Sequence, residues 1–262
     1  MEDKKKLSLK ERLHAATFSE AAVNVAREIG IGLELNHVCI SENLDSDKIE
    51  RTYEEILRDI EESRADHLIL HGPFTEICPG SIDHRAVDMG LERLEEAAEL
   101  ATRLNLNSMV VHSGYMPMIY YKEWHLEKSL EFWDRFLKGK PDFTIFVENV
   151  FDDEPYMMKQ LVDDFNDPRL KLCLDVGHAN VLTTKELPVT RWIEILGKRI
   201  GHFHLHNNQG DKDTHQPLGE GTLYMREILR AIEENCEDDV SLTLESTKCA
   251  ACAQWLSCNG YI

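Results

Sequence analysis

The chain has 262 residues, 42% of them hydrophobic and 29% charged, enough to bury a sizeable core. With 29 basic against 48 acidic residues the formal net charge is −19, which repels phosphate polyanions and speaks against nucleic acid as partner. Metal ions held among the carboxylates would invert that field locally. No apolar run approaches the ~18 residues that a membrane span needs. The basic cluster at residues 4–6 has no apolar stretch behind it, so a cytoplasmic protein without a secretory signal is expected.

Along the chain, brief β-rich apolar runs alternate with longer amphipathic stretches. Strands are predicted at 13–16, 31–36, 67–71, 108–112, 143–148, 170–175, 200–206 and 240–245. Helical periodicity fills the intervals. In 48–63 the apolar positions are Ile49, Tyr53, Ile56, Leu57 and Ile60; in 86–104 they are Val87, Leu91, Leu94, Ala98 and Ala101. Strands that alternate with helices in this number predict a (β/α)₈ TIM barrel, one domain over residues 1–262. A doubly wound open sheet would need a Gly-rich first turn or a topological break, and neither is present.

The strands end on chemistry. The third to the eighth close on His71, His112, Glu148, Asp175, His204 and Glu245. In a barrel these carboxyl ends converge on one rim, where active sites of this fold sit. One such residue is usually a loop-entry side chain; six in succession would require that explanation six times. Three carboxylates cannot all stay ionised side by side at low dielectric, and divalent cations remove that cost. Imidazole and carboxylate together suit zinc, manganese, iron or cobalt.

Two local motifs extend the set. His178 lies just past the sixth strand, and Asp213 and His215 share a Gly-bounded loop after the seventh. His202 and His206 alternate with His204, so each is expected to orient a ligand, touch substrate or pack. Seven cysteines are expected to be reduced. Cys249, Cys252 and Cys258 lie close together, as a soft metal or redox site or, as the sequence favours, packing in a terminal helix.

The motifs His71-Gly72-Pro73-Phe74, Val111-His112-Ser113-Gly114, Val147-Glu148-Asn149, Asp175-Val176-Gly177-His178, His204-Leu205-His206-Asn207, Asp213-Thr214-His215 and Leu218-Gly219-Glu220-Gly221 occur in this order. Together they resemble the xylose isomerase-like TIM-barrel superfamily, in particular its branch of endonuclease IV and the sugar phosphate isomerases and epimerases. The likeness runs from about Glu34 to Glu245. The endonuclease IV likeness implies up to three zincs. His71, His112 and Glu148 hold the first; Glu148, Asp175, His204 and Glu245 the second; His178, Asp213 and His215 the third. The implied substrate is abasic DNA or a small phosphorylated sugar. The epimerase likeness implies one manganese or cobalt held by Glu148, Asp175, His204 and Glu245. There Glu148 and Glu245 act as acid and base, and His178 meets a substrate hydroxyl. Glu34, Glu154 and His206 are then candidate substrate contacts, with Glu34 equally readable as a salt-bridged barrel carboxylate and Glu154 as a first-turn residue favoured by the helix dipole. Gly210 stands where that branch would have an arginine, and the segment after His71 lacks the aromatic and basic array of a DNA enzyme. The reading preferred is therefore a metal-dependent phosphoesterase, because His71, His112, Asp213 and His215 have little to do in a one-metal isomerase. Isomerisation or epimerisation is the alternative, and a barrel that only binds or scaffolds is a distant third.

Overall fold

Strand residues alternate between two environments, and here the alternation separates chemistry from packing. The structure, a computed structural model, describes residues 7–262; the basic cluster at 4–6 lies outside the described residues. The strands are β1 (Leu13–Ala16), β2 (Gly32–Leu35), β3 (Leu68–His71), β4 (Ser108–His112), β5 (Thr144–Glu148), β6 (Leu170–Asp175), β7 (Ile200–Leu205) and β8 (Ser241–Leu244). They pair in chain order, all parallel, and β8 closes on β1. The (β/α)₈ TIM barrel expected from the pattern is the observed fold.

The helices are α1 (Leu9–Arg12), α2 (Ala22–Ile29), α3 (Ile49–Ser63), α4 (His84–Arg103) and α5 (Lys122–Leu137). They continue with α6 (Tyr156–Phe165), α7 (Val176–Leu182), α8 (Val189–Leu196), α9 (Met225–Asn235) and α10 (Cys249–Cys258). Two of them, α7 and α8, lie between β6 and β7, where one was expected. Helix α4 begins two residues before the apolar pattern does, because the Asp83 side chain accepts from Arg85 N–H and caps it. Among the described residues no helix is long and apolar enough to cross a membrane.

Outward strand residues such as Leu33, Leu70, Val111, Val147, Leu174, Phe203 and Leu244 pack with the helices into one core. The inward set forms layers. Ile69, Val110, Phe146 and Cys173 make a small apolar plug on one side of the barrel. Facing it, Thr243 Oγ1 donates to Glu34 Oε2 at 2.5 Å and His202 Nε2 lies 3.0 Å from the same oxygen. The next layer up is the row of strand-end histidines and carboxylates. All seven cysteines are free; Cys249 and Cys252 are buried on α10 and Cys258 is exposed at its end. None of the three joins a candidate metal group among the described residues, and Cys249 and Cys252 pack in the core.

Candidate metal centre

Register places the strand ends in one layer. His112 stands opposite Glu148 across β4 and β5, and Asp175 opposite His204 across β6 and β7. His71, Glu148, Asp175, His204 and Glu245 are all buried. Glu148 divides its oxygens. Oε2 lies 3.2 Å from His71 Nε2 and 3.4 Å from His112 Nε2, while Oε1 lies 3.2 Å from His204 Nδ1. His204 Nδ1 is also 3.2 Å from Glu245 Oε2 and 3.8 Å from Asp175 Oδ2. One carboxylate therefore joins two groups, His71–His112–Glu148 and Glu148–Asp175–His204–Glu245.

A third group sits beside them. Asp213 Oδ2 lies 3.2 Å from His178 Nε2 and 3.0 Å from His215 Nε2. The loop that carries Asp213 and His215 is tied down by asparagines. Asn207 pairs its backbone with Gln216 and donates through Nδ2 to Leu218 O and Leu223 O; Asn208 Nδ2 donates to Gly177 O. Gly221 closes the loop at φ 123°, and a Cβ there would come within 2.4 Å of Asn207 Oδ1. His215 itself has φ 45°, a left-handed conformation that a non-glycine residue holds only when its surroundings force it.

Tautomers follow from the partners, since a carbonyl oxygen can only accept. His71 Nδ1–H donates to Gly72 O at 2.9 Å, His178 Nδ1–H to Asn149 O at 2.9 Å and His215 Nδ1–H to Glu245 O at 2.6 Å. Each neutral ring then turns the lone pair of Nε2 toward a carboxylate. His204 is held the other way round, with Nε2 against Glu34 and Nδ1 toward the cluster. Lone pairs facing carboxylate oxygens at these distances repel unless a proton or a cation lies between them. Glu148 Oε1, His204 Nδ1 and Glu245 Oε2 are buried, converge on one another, and have no hydrogen-bond partner. That is the donor set a divalent cation requires, so the side chains fit metal.

The electrostatics agree. Burial lowers the imidazoles' affinity for protons, yet neighbours overcome it at His71 (Cys39, then Glu148), His178 (Asp175, Asp213 and Glu148) and His204 (Cys173, then Glu245, Glu34 and Glu148), which are raised well above the ordinary value. At His215 the same contest, with Asp213 and Glu245 as the raising groups, ends at about 9. For His112 burial wins and pushes the ring down to about 4, so it is neutral at pH 7. Burial raises Glu245, only partly offset by His204.

Three residues read as candidate substrate contacts are placed elsewhere. Glu34 is fully buried behind His204, which it holds at 3.1 Å, together with His202 and Thr243. Glu154 pairs with Lys122 Nζ at 3.0 Å and accepts from Tyr156 N–H, away from the cavity wall. His206 donates through Nε2 to both oxygens of Asp175, at 3.0 and 3.1 Å. His206 is close enough to Asp213 to count geometrically with the third group. Its ring, however, stacks on His215 at 4.0 Å and 17°, so the two in-plane lone pairs run nearly parallel and cannot meet at one ion. His206 orients Asp175 instead. Gly177 makes room for it, because a Cβ there would fall 1.9 Å from His206 Cε1.

Asn149 was not singled out from the sequence as a site residue. It exchanges hydrogen bonds with the Asp175 backbone, 2.8 and 3.0 Å, and offers its carbonyl to His178. The only signal was its place directly after Glu148. Above the groups opens a cavity of about 750 Å³ in which His71, His112, Glu148, His178, Asp213, His215 and Glu245 form the floor.

The family pattern "Xylose isomerase-like TIM barrel" matches residues 23–251. The chain belongs to this family. MJ1311, an uncharacterised protein of Methanocaldococcus jannaschii, is 28% identical over 183 residues, 66% of this chain and 62% of that protein. The match thus spans less than two thirds of the relative's length. Among solved xylose isomerase-like structures, the TTHB071 protein from Thermus thermophilus, soaked with ZnCl₂, superposes with a TM-score of 0.73 at 22% identity. It covers 95% of this chain and 98% of its own. A D-tagatose 3-epimerase-like protein gives 0.72 at 23% identity over 95% and 96%, and IolI with a bound zinc atom gives 0.70 at 13% over 95% and 97%. At these identities the likeness carries the fold.

Proposed function

We propose that this chain is a multinuclear divalent-metal enzyme that hydrolyses a phosphoester on a small substrate. The observation that carries this reading is the division of Glu148. A one-metal proton-transfer enzyme must keep one oxygen of that carboxylate for the substrate, whereas here Oε2 is taken by His71 and His112 and Oε1 by His204. Zinc suits the mixed nitrogen and oxygen donors. His71, His112 and Glu148 would hold one ion, Glu148, Asp175, His204 and Glu245 a second, and His178, Asp213 and His215 a third. When bound, such ions acidify water and offset the charge that builds on a phosphoryl group. The chain's own part is to fix the ligands: three backbone carbonyls set the imidazole tautomers, Glu34 orients His204, and His206 orients Asp175. The net charge of −19 and the cavity's form favour a small phosphorylated substrate over abasic DNA.

Elemental analysis of the purified protein is expected to give about three zincs per chain. Asp213→Ala should remove one and lower phosphoesterase turnover on the order of 100-fold, the equivalent of about 3 kcal/mol of lost charge stabilisation. One ion per chain, or full phosphoesterase activity in that variant, would refute the assignment.

The second reading is isomerisation or epimerisation of a sugar or its phosphate with manganese or cobalt. The chain's likeness in fold to a 3-keto-D-glucoside 4-epimerase and to a D-tagatose 3-epimerase-like protein supports it, as does the approach of both Glu148 and Glu245 to His204. Glu148 and Glu245 would then exchange the proton and His178 would meet a hydroxyl. A panel of ketoses assayed beside aryl and sugar phosphates separates the two, since Asp213→Ala should spare most epimerase activity.

A further inference from the structure

Charged chemistry is confined to the cavity floor, and above it Asn36, Thr75 and Tyr115 are the polar exceptions in a largely apolar wall. That wall includes Phe18, Ile40, Phe74, Ile77, Tyr115 and Phe151, and among the described residues no lysine or arginine lines the cavity. Two aromatic rings reach the ligand imidazoles themselves: Phe74 lies 5.1 Å from the His112 ring, and Phe18 meets the His215 ring edge-on at 5.7 Å. At the rim, Phe18, Ile40 and Phe151 are 45%, 61% and 52% exposed, although side chains of this kind are ordinarily buried when nothing covers them. A free sugar phosphate would turn most of its hydroxyls toward this apolar wall, where only Asn36, Thr75 and Tyr115 offer partners, a loss for every other group taken out of water. A polyanion would find no cation beyond the metal groups.

We infer that the substrate carries an apolar, aryl-sized group next to its reacting bond, and that Phe18, Phe74 and Phe151 receive it. The headgroup is read by the ion-binding floor and the rest by burial, the usual division of labour in a concave site of this size. The inference deepens the phosphoester reading and rests on it for the headgroup, while the apolar wall stands on its own residues.

The test compares probes that share a headgroup and differ in the group attached. On the zinc-loaded protein, calorimetry with phenylphosphonate and methylphosphonate should show the phenyl compound binding at least tenfold more tightly, a difference of about 1.4 kcal/mol. Phe74→Ala should bring that ratio toward one. Phe151→Ala, at an exposed position, should reduce it without endangering the fold. Equal affinities for the two phosphonates would overturn the inference and leave the phosphoester reading intact; so would a dimer in sedimentation whose formation covers the mouth and abolishes the phenyl preference. If neither phosphonate binds while phenyl β-glucoside binds at least tenfold more tightly than methyl β-glucoside, the apolar wall stands and the phosphoester reading falls. Failure of all four probes to bind would overturn the inference as well.

Discussion

Glu34 shows how much of this site lies behind the candidate ligands. It touches no cavity, yet it takes the outer nitrogen of His204 and so fixes which nitrogen faces the cluster. Glu34→Gln keeps the volume but loses the negative charge. We expect zinc affinity to fall roughly 10- to 100-fold, as at other partners of ligating histidines, when measured by competition with a chromophoric chelator. The same side chains set a pH dependence. In the ion-free chain His71, His178 and His204 hold protons well above the ordinary value, and His215 does so up to about 9. Zinc must displace those protons. Apparent affinity therefore rises with pH below about 9, roughly tenfold per pH unit for each proton displaced, and binding isotherms in buffers of different ionisation heat should show proton release. Affinity independent of pH between 6 and 8 would mean that the rings are already neutral.

Residue identity was legible at this scale and residue role was not. His71, His112, Glu148, Asp175, His204 and Glu245 could be picked out because each ends an apolar run of fixed direction, and the barrel brings such ends together. For His206 and Glu34 the sequence left orienting or salt-bridging roles open beside substrate contact and could not choose between them. Their roles depend on which ring nitrogen points where and on whether two planes are parallel or converge. Alternation along a strand does not encode that.

At the scale of elements, the turn from β6 into α7 and the loop between β7 and α9 form one clasp. Asp175 caps α7 by accepting from His178 N–H at 2.7 Å, and His206 locks the same carboxylate from the next strand. Gly177 sits between them with no room for a side chain. Gly177→Ala must shift either His206 or α7. We expect a loss of about 1–3 kcal/mol in a denaturant titration, by overpacking, together with weaker zinc binding. An unchanged midpoint would show that the clasp is softer than its contacts imply. Strand positions were legible to within one residue because strands of a buried parallel sheet stand out as short β-rich apolar runs between longer amphipathic stretches. The doubling into α7 and α8 was not, since a helix of seven residues, Val176–Leu182, is too short to announce itself by an amphipathic period.

For the molecule as a whole, the cluster places three buried carboxylates in one layer of a chain already at −19. Without cations that layer is a source of instability, held in check by protonated imidazoles. Removing metal with a chelator should lower the melting temperature. Zinc held at about 100 times its dissociation constant contributes roughly 2.7 kcal/mol, or about 5–10 °C for a domain of this size, readable by calorimetry. Identical melting with and without chelator would argue that the chain carries no ion in its native state. The barrel itself was open to reading from sequence at this scale. The aromatic wall of the mouth was not, because Phe18, Ile40, Phe74 and Phe151 come from four separate loops and only the closed sheet assembles them.

The shared carboxylate has one more effect. Because a single side chain reaches into two neighbouring groups, whichever ion arrives first settles its torsion angles and neutralises its charge, and the later arrival meets a partner already turned and partly satisfied. Occupancy in the two groups is thereby linked, so filling proceeds as a sequence of dependent steps rather than as two independent ones.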